Sequence, residues 1–294
     1  LEPFTIVSDI GVVVIEGREG TRHLQEEDIV HLYRGQVAGE TDSQVFLAAT
    51  DRHMNGFIRV GDESHHLSTG GFTPWRADHL HVTPFEGSLQ KWIEQGPFCR
   101  TDEIEQPFDF ARPPARGGRP AERGACILVE LAVDTDWEFT SNLFAGDAEA
   151  SAAYAMTLSA AVSEIYVTDM QVRIELTYVR TWEDDSDPYE PDGSQLGQLR
   201  DHWNANMGSI QRDVAHLLSS PFSGGLAWVN VVCALDWAYA VSGSLQGSFP
   251  YPLEDNSHQN WDLMVVAHEL GHGSVFKTKI LNAIFLRIYS IISW

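Results

Sequence analysis

The chain has 294 residues, 43% of them hydrophobic, which is enough to bury one large core or two modest ones. Its 42 acidic residues outnumber the 19 basic ones and give a formal net charge of -23. Such a charge repels phosphate backbones and anionic lipid surfaces, so neither nucleic acid nor a membrane is an expected partner. The three cysteines, Cys99, Cys126 and Cys233, are too few and too scattered for a disulfide scaffold.

The first part of the chain predicts antiparallel strands. Between residues 4 and 68, short runs rich in Val, Ile and Phe are separated by Gly-Asp and Asn-Gly pairs, which are typical of hairpin turns. We therefore expect a β-rich domain over residues 1–95. Four histidines in this part lack helical spacing and are expected to be exposed strand or loop residues rather than metal ligands: His65, His66, His79 and His81.

Residues 96–124 have the composition of a linker between domains. They are dense in Pro, Gly and charged residues and show little periodicity. Their arginines Arg112, Arg116, Arg119 and Arg123 form a basic stretch in an acidic protein. This stretch suits cleavage by a processing protease, and it equally suits a plain solvated linker.

After the linker, strand and helix patterns alternate. Runs of β-formers and helical spacing of apolar residues predict the following elements in order: a strand over 125–134, a helix over 147–170 capped by Asp147, a strand over 171–179, a helix over 194–220 capped by Ser194, strands over 225–232 and 238–245, and a helix over 260–273. This alternation predicts an α/β layer with a mostly parallel sheet.

The last of these helices carries the sequence His268-Glu269-Leu270-Gly271-His272. Two histidines four residues apart project from one face of a helix, within reach of a single metal ion, and Glu269 lies beside them. Zn²⁺ suits two imidazoles and activates water, and a nearby carboxylate can take the proton of that water. The spacing therefore predicts a zinc hydrolase site, against the alternative of two surface histidines on a helix.

Several segments together resemble the metzincin metalloproteases, specifically their reprolysin (adamalysin) branch. The matching segments are "GLAWVNVVC", "YAVSGS" and "VVAHELGHG" within residues 126–273, with residues 30–72 similar to the pro-domain of such enzymes. The resemblance implies an α/β, zincin-like upper catalytic subdomain over residues 125–273, preceded by a β-rich pro-domain. It implies a secreted zinc-dependent endopeptidase that acts on peptide or protein substrates.

The resemblance also implies roles for residues. Zinc is bound by His268 and His272, and Glu269 is the general base. The substrate pairs antiparallel with an edge strand, which is β-augmentation, along Gly225, Leu226, Ala227, Trp228 and Val229.

The resemblance also bears on the three cysteines. Pro-domains of this family often hold the enzyme latent by offering a cysteine thiolate to zinc, and Cys99 is placed to do so; the alternative is a free linker cysteine. Cys233 stands where such domains place a disulfide-forming cysteine, but no cysteine follows the helix. Cys126, in a strand, is expected to be an inert core thiol.

The end of the chain departs from the family pattern. Metzincins place a glycine and a third histidine after the motif, whereas this chain has Val275 and Thr278, and no His, Met, Asp or Glu follows His272. Residues 274–294 also differ from the rest in composition, because they hold two of the three lysines and no acid. We interpret them as foreign sequence after a truncated or frameshifted catalytic domain; a genuine apolar helix is the alternative. A catalytically inactive remnant that acts as a binding or inhibitory module remains the alternative function.

Overall fold

The fold is taken from a computed structural model that describes residues 1–61, 63–70, 99, 101, 104–107, 127–249 and 260–273, and the backbone of 81–84. The elements of the N-terminal part are β1 (Glu2–Phe4), β2 (Val7–Gly17), β3 (Gly20–Leu24), α1 (Glu26–Ile29), β4 (His31–Gly35), β5 (Ser43–Ala49), β6 (Met54–Val60), β7 (Glu63–Ser68) and β8 (His81–Pro84).

The remaining described elements alternate between strands and helices, as the sequence predicts. They are β9 (Ile127–Thr135), α2 (Trp137–Phe144), α3 (Ala148–Met170), β10 (Val172–Trp182), α4 (Gln195–Asn206), β11 (Val214–Leu218), β12 (Gly225–Ala227), β13 (Tyr239–Ser242) and α5 (Trp261–Gly273). Helix α2 was not predicted. Its Asp136 cap accepts a hydrogen bond from the Phe139 amide.

Two sheets form a mixed α/β fold. The first has the order β1-β4-β5-β6-β7-β8, and every neighbouring pair in it is antiparallel. The second has the order β12-β13-β11-β9-β10-β2-β3. Its four inner pairings are parallel, and only its two edge pairings, β12 with β13 and β2 with β3, are antiparallel. The second sheet is thus mostly parallel, as expected.

The hairpin of β2 and β3 belongs to the second sheet although it lies near the start of the chain. Strand β2 runs parallel to β10, with Val12 opposite Tyr178 and Glu16 opposite Trp182. The N-terminal residues therefore contribute strands to both sheets, which the sequence pattern did not indicate. The predicted domain boundaries, at residues 95 and 125, stay predictions.

Helix α3 packs against the second sheet and is buried along most of its length. The carboxylate of Asp147 accepts a hydrogen bond from the Ala150 amide, which confirms the predicted cap. Every residue from Ser151 to Tyr166 is buried, as expected of a helix enclosed by other elements on all faces. It ends at Met170, and the left-handed backbone of the next residue, Gln171 (φ 57°), closes the last turn.

The predicted helix over residues 194–220 was wrong in its second half. Helix α4 ends at Asn206, and residues 214–218 instead form β11, which is buried between β9 and β13. The apolar run in β11 fits a buried parallel strand as well as a helix, and pairing on both sides decides between them. Ser194 is the N-cap residue, as predicted, but its hydroxyl makes no cap hydrogen bond and instead donates to Asp192.

The predicted exposure of the N-terminal histidines was wrong for His66. Its side chain is only 2% exposed and lies against the Phe249 ring. Burial lowers its pKa to about 4, so the ring is neutral at pH 7. His79 and the side chain of His81 lie outside the described residues.

Candidate metal centre

The N-terminus of α5 is fixed by hydrogen bonds from three directions. The Asn260 side chain accepts from the Leu263 amide and caps the helix. The buried Asp262 carboxylate accepts from the Tyr154 hydroxyl on α3, at 2.7 Å, and from the amides of Gln246 and Gly247. Burial raises the pKa of Asp262 to about 6. These contacts set the position of the helix before its functional residues begin.

The middle and the C-terminal end of α5 are also fixed by hydrogen bonds from other elements. The Tyr166 hydroxyl of α3 donates to the carbonyl oxygen of Ala267. At the C-terminal end, the amides of Asn230 and Val232 donate to the carbonyl oxygens of His272 and Gly273, at 2.9 and 2.8 Å. The helix is therefore joined to the segment that follows β12, and the motif residues face that strand.

The side chains of His268 and His272 on α5 converge. Their Nε2 atoms lie 2.8 Å apart, and the rings are nearly perpendicular, with an interplanar angle of 87°. The Cys99 thiol lies 3.1 Å from Nε2 of His272, although the two residues are 173 positions apart. One ligand atom from each of Cys99, His268, Glu269 and His272 falls within 4.8 Å of the others. The structure thus brings the predicted metal and catalytic residues together with the predicted latency cysteine.

Burial shapes the charge of this cluster. Desolvation, with a smaller contribution from His272, holds the pKa of His268 well below its usual range, so the ring is neutral, which is the form of imidazole that binds a metal. The Glu269 carboxyl is fully buried, and desolvation raises its pKa well above the usual value, while a hydrogen bond with Cys99 opposes that rise. A cation at this place would offset the cost of burying the carboxylate.

The donor set suits zinc. Two imidazole nitrogens and a thiol are ligands that zinc accepts in tetrahedral sites. The sequence left the third protein ligand open, and among the described residues Cys99 is the group that can complete it. Val275 and Thr278, at the positions where the family pattern has Gly and His, lie outside the described residues.

A short segment around Cys99 covers the free edge of β12. Cys99 forms a parallel β-bridge with Gly225. The Thr101 hydroxyl donates to the carbonyl oxygen of Ala227, at 3.3 Å, and the Gln106 side chain accepts from the Val229 amide, at 2.9 Å. The described residues of this segment, 99, 101 and 104–107, therefore pair with the strand that was predicted to bind substrate.

The five residues predicted to bind substrate do not share one environment. Gly225, Ala227 and Val229 present backbone groups to the covering segment. Leu226 and Trp228 are each 5% exposed and face the core, where the Trp228 ring meets the Trp237 ring edge-on at 5.2 Å.

Two contact residues, Thr101 and Gln106, were missed at the sequence level. Their only signal was proximity to Cys99 along the chain. The Cys233 thiol donates to the Asp213 carboxylate at 2.6 Å, and Cys126 lies outside the described residues.

Comparison with known families agrees with this site. The features of α5 define the class of protein, a metallopeptidase. A family model, Reprolysin_5, described as "Metallo-peptidase family M12", matches residues 128–274, half of the chain, including all of α5. The chain belongs to metallopeptidase family M12.

Two solved structures show distant similarity to the chain. A metalloproteinase-II from Bacteroides fragilis aligns over 89% of this chain and 73% of its own, with a TM-score of 0.39 and 13% identity. A structure described as a chaperone-substrate complex aligns over 78% of this chain and 27% of its own, with a TM-score of 0.34 and 11% identity. No curated protein matches the sequence. Within the described residues, no helix is both long and apolar enough to cross a bilayer.

Proposed function

We propose that this protein is the latent form of a zinc-dependent metalloendopeptidase of reprolysin type. The observation that carries the proposal is the convergence of the His268 and His272 Nε2 atoms, 2.8 Å apart, beside the buried carboxyl of Glu269. The family assignment supports peptide or protein as the substrate class. Secretion remains a prediction that rests on the family resemblance alone.

The motif residues of α5 have different proposed roles in hydrolysis. His268 and His272 would hold the metal, and a zinc ion bound there would supply Lewis-acid activation of water. Glu269, whose carboxylate lies within 4.8 Å of the histidine nitrogens, would take a proton from water and pass it to the leaving amine.

Strand β12 is the proposed substrate platform. It is the edge strand of the second sheet, so its outer amides and carbonyl groups would be available for pairing once the segment around Cys99 has left. The substrate would lie antiparallel along Gly225, Ala227 and Val229, as the family resemblance implies. Backbone pairing of this kind tolerates many side chains, so preference would depend on pockets beside the strand.

The segment around Cys99 is the proposed latency device. It occupies the same strand edge and brings a thiol to the histidines, so substrate and segment cannot be bound together. Its parallel direction, shown by the bridge between Cys99 and Gly225, is opposite to the one proposed for a substrate. Cleavage in the arginine-containing stretch of residues 96–124, most of which lies outside the described residues, would release it.

A peptidase assay tests the function. The comparison is made in a Cys99→Ser background, which opens the metal centre, with zinc in excess. We expect hydrolysis of an unstructured peptide, and loss of roughly 10²–10⁴-fold in rate on adding Glu269→Gln, because general base catalysis contributes that much. Glu190→Gln, at an exposed acid, is the matched control and should leave the rate unchanged.

The alternative is an inactive remnant that serves as a binding or inhibitory module. The incomplete family pattern after His272 favours it. No hydrolysis by Cys99→Ser, with or without Glu269→Gln, in a protein with an intact fold and bound zinc would support the remnant over the enzyme.

A further inference from the structure

Gly225 lies directly against the side chain of Glu269. A Cβ atom placed on Gly225 would lie 2.2 Å from Oε1 of Glu269 and 2.5 Å from both Cδ and Cγ. Non-bonded atoms do not approach this closely, so any side chain at position 225 and the present position of Glu269 exclude each other. The backbone of Gly225 is outside the left-handed region, so the glycine is not required for its conformation.

The Glu269 side chain has little room to yield. It is 0% exposed, and its Oε1 lies 4.0 Å from Nε2 of His268. Tyr166 and Cys99 also lie close to it. After burial, the Glu269 carboxylate is the group that raises the pKa of Tyr166, and the Cys99 thiol lowers the pKa of Glu269. A methyl group at position 225 would therefore push the carboxylate out of its place beside the histidines.

We propose that Gly225 is a positioning residue for Glu269. The missing side chain at 225 forms the space in which the carboxylate is held next to the metal ligands. This role is separate from the backbone pairing proposed for Gly225. Its catalytic consequence rests on the proposed function, in which Glu269 is the general base.

The chain offers a matched control for a glycine beside a glutamate. At Gly17, an added Cβ would lie 2.5 Å from Cγ of Glu183 and 2.8 Å from its Oε1. The Glu183 side chain is 31% exposed, so it can turn towards solvent. Gly17→Ala therefore introduces the same kind of contact where the carboxylate is free to move.

A double-mutant cycle on thermal unfolding tests the contact in the full chain. Gly225→Ala is expected to lower the unfolding midpoint by roughly 3–10 °C, in line with the cost of overpacking a buried site. In a Glu269→Ala background, where the carboxylate is gone, the same substitution should shift the midpoint by less than about 1 °C. Gly17→Ala should have little effect in either background. Equal losses from Gly225→Ala in both backgrounds would overturn the proposal.

Kinetics test the consequence in the Cys99→Ser background with zinc in excess. Gly225→Ala should lower kcat by about 10²-fold or more while KM and zinc content stay within about twofold, because the base moves and the strand backbone does not. An unchanged kcat would overturn the proposal. If Glu269→Gln itself leaves hydrolysis unchanged, the proposed function fails, and the unfolding cycle still decides whether Gly225 positions Glu269.

Discussion

The thiol of Cys99 lies 3.1 Å from Nε2 of His272 and joins two segments that are 173 residues apart in the chain. With this contact, the two-histidine motif of α5 gains a third donor of a type that zinc accepts. The same segment covers the edge of β12. One short stretch of chain would therefore complete the proposed metal site and close the proposed substrate site.

Replacement of Cys99 tests its role as a ligand. Cys99→Ser should weaken zinc binding by more than about tenfold, because loss of a direct ligand costs at least as much as loss of an outer partner. Competition with a chelator of known affinity measures the change. Cys233→Ser, at a half-buried thiol bonded to Asp213, is the control and should bind zinc as the wild type does. Unchanged affinity in Cys99→Ser would place the third ligand elsewhere.

Replacement of Gln106 tests how the covering segment is held. Gln106→Ala removes the hydrogen bond to the Val229 amide, and a bond of this kind contributes about 1 kcal/mol. The segment should then open more often, so labelling of the Cys99 thiol should become roughly fivefold faster, measured by mass spectrometry of the labelled peptide. Gln211→Ala, whose side chain bonds Glu130 at an exposed site, should not change that rate. Equal rates in Gln106→Ala and wild type would contradict the assigned contact.

Asp136 gives a pH dependence of stability with a definite sign. Burial, with smaller contributions from Glu138 and Asp187, raises its pKa from 3.8 to about 7. Between about pH 4 and pH 7 the folded state keeps a proton that the unfolded state has lost, so this carboxyl makes the protein less stable as pH rises through that window. Asp136→Asn keeps a capping oxygen and loses the charge. Relative to wild type, the variant should gain about 2–4 kcal/mol in unfolding free energy from pH 4 to pH 8.

Urea unfolding at several pH values measures this difference. The control is Asp184→Asn, at an exposed carboxylate whose pKa is lowered by a hydrogen bond from Ser186. Its effect should have the opposite sign, because a lowered pKa adds stability above the ordinary titration range of an aspartate. A parallel pH profile for Asp136→Asn and wild type would show that the Asp136 carboxyl is not titrating in the folded state.

Elements with strong local signals were predictable. Asp147 before an Ala-rich run fixed the start of α3, and the His268 and His272 spacing placed α5, because caps and helical periodicity depend only on near neighbours. Strand β11 was not predictable, because an apolar run of five residues fits either a strand or a helix until its pairing partners are known.

Pairing between segments far apart in the chain was harder to predict from the sequence. Nothing in residues 7–24 indicates that β2 lies beside β10, since register and partner depend on the whole sheet. The position of Cys99 was open for the same reason: a lone cysteine in a linker has no local feature that distinguishes a ligand from a free thiol. The family resemblance implied that Cys99 could reach the histidines, but the contacts of Thr101 and Gln106 with the strand edge had no signal in the sequence.

X-ray absorption at the zinc edge of the full chain tests the central claim most directly. A centre formed by His268, His272 and Cys99 should show one sulfur at about 2.3 Å and two imidazole nitrogens at about 2.0–2.1 Å. The sulfur should be lost in Cys99→Ser and kept in Cys233→Ser. A zinc site with no sulfur in the wild type, or a chain that binds no zinc, would contradict the account.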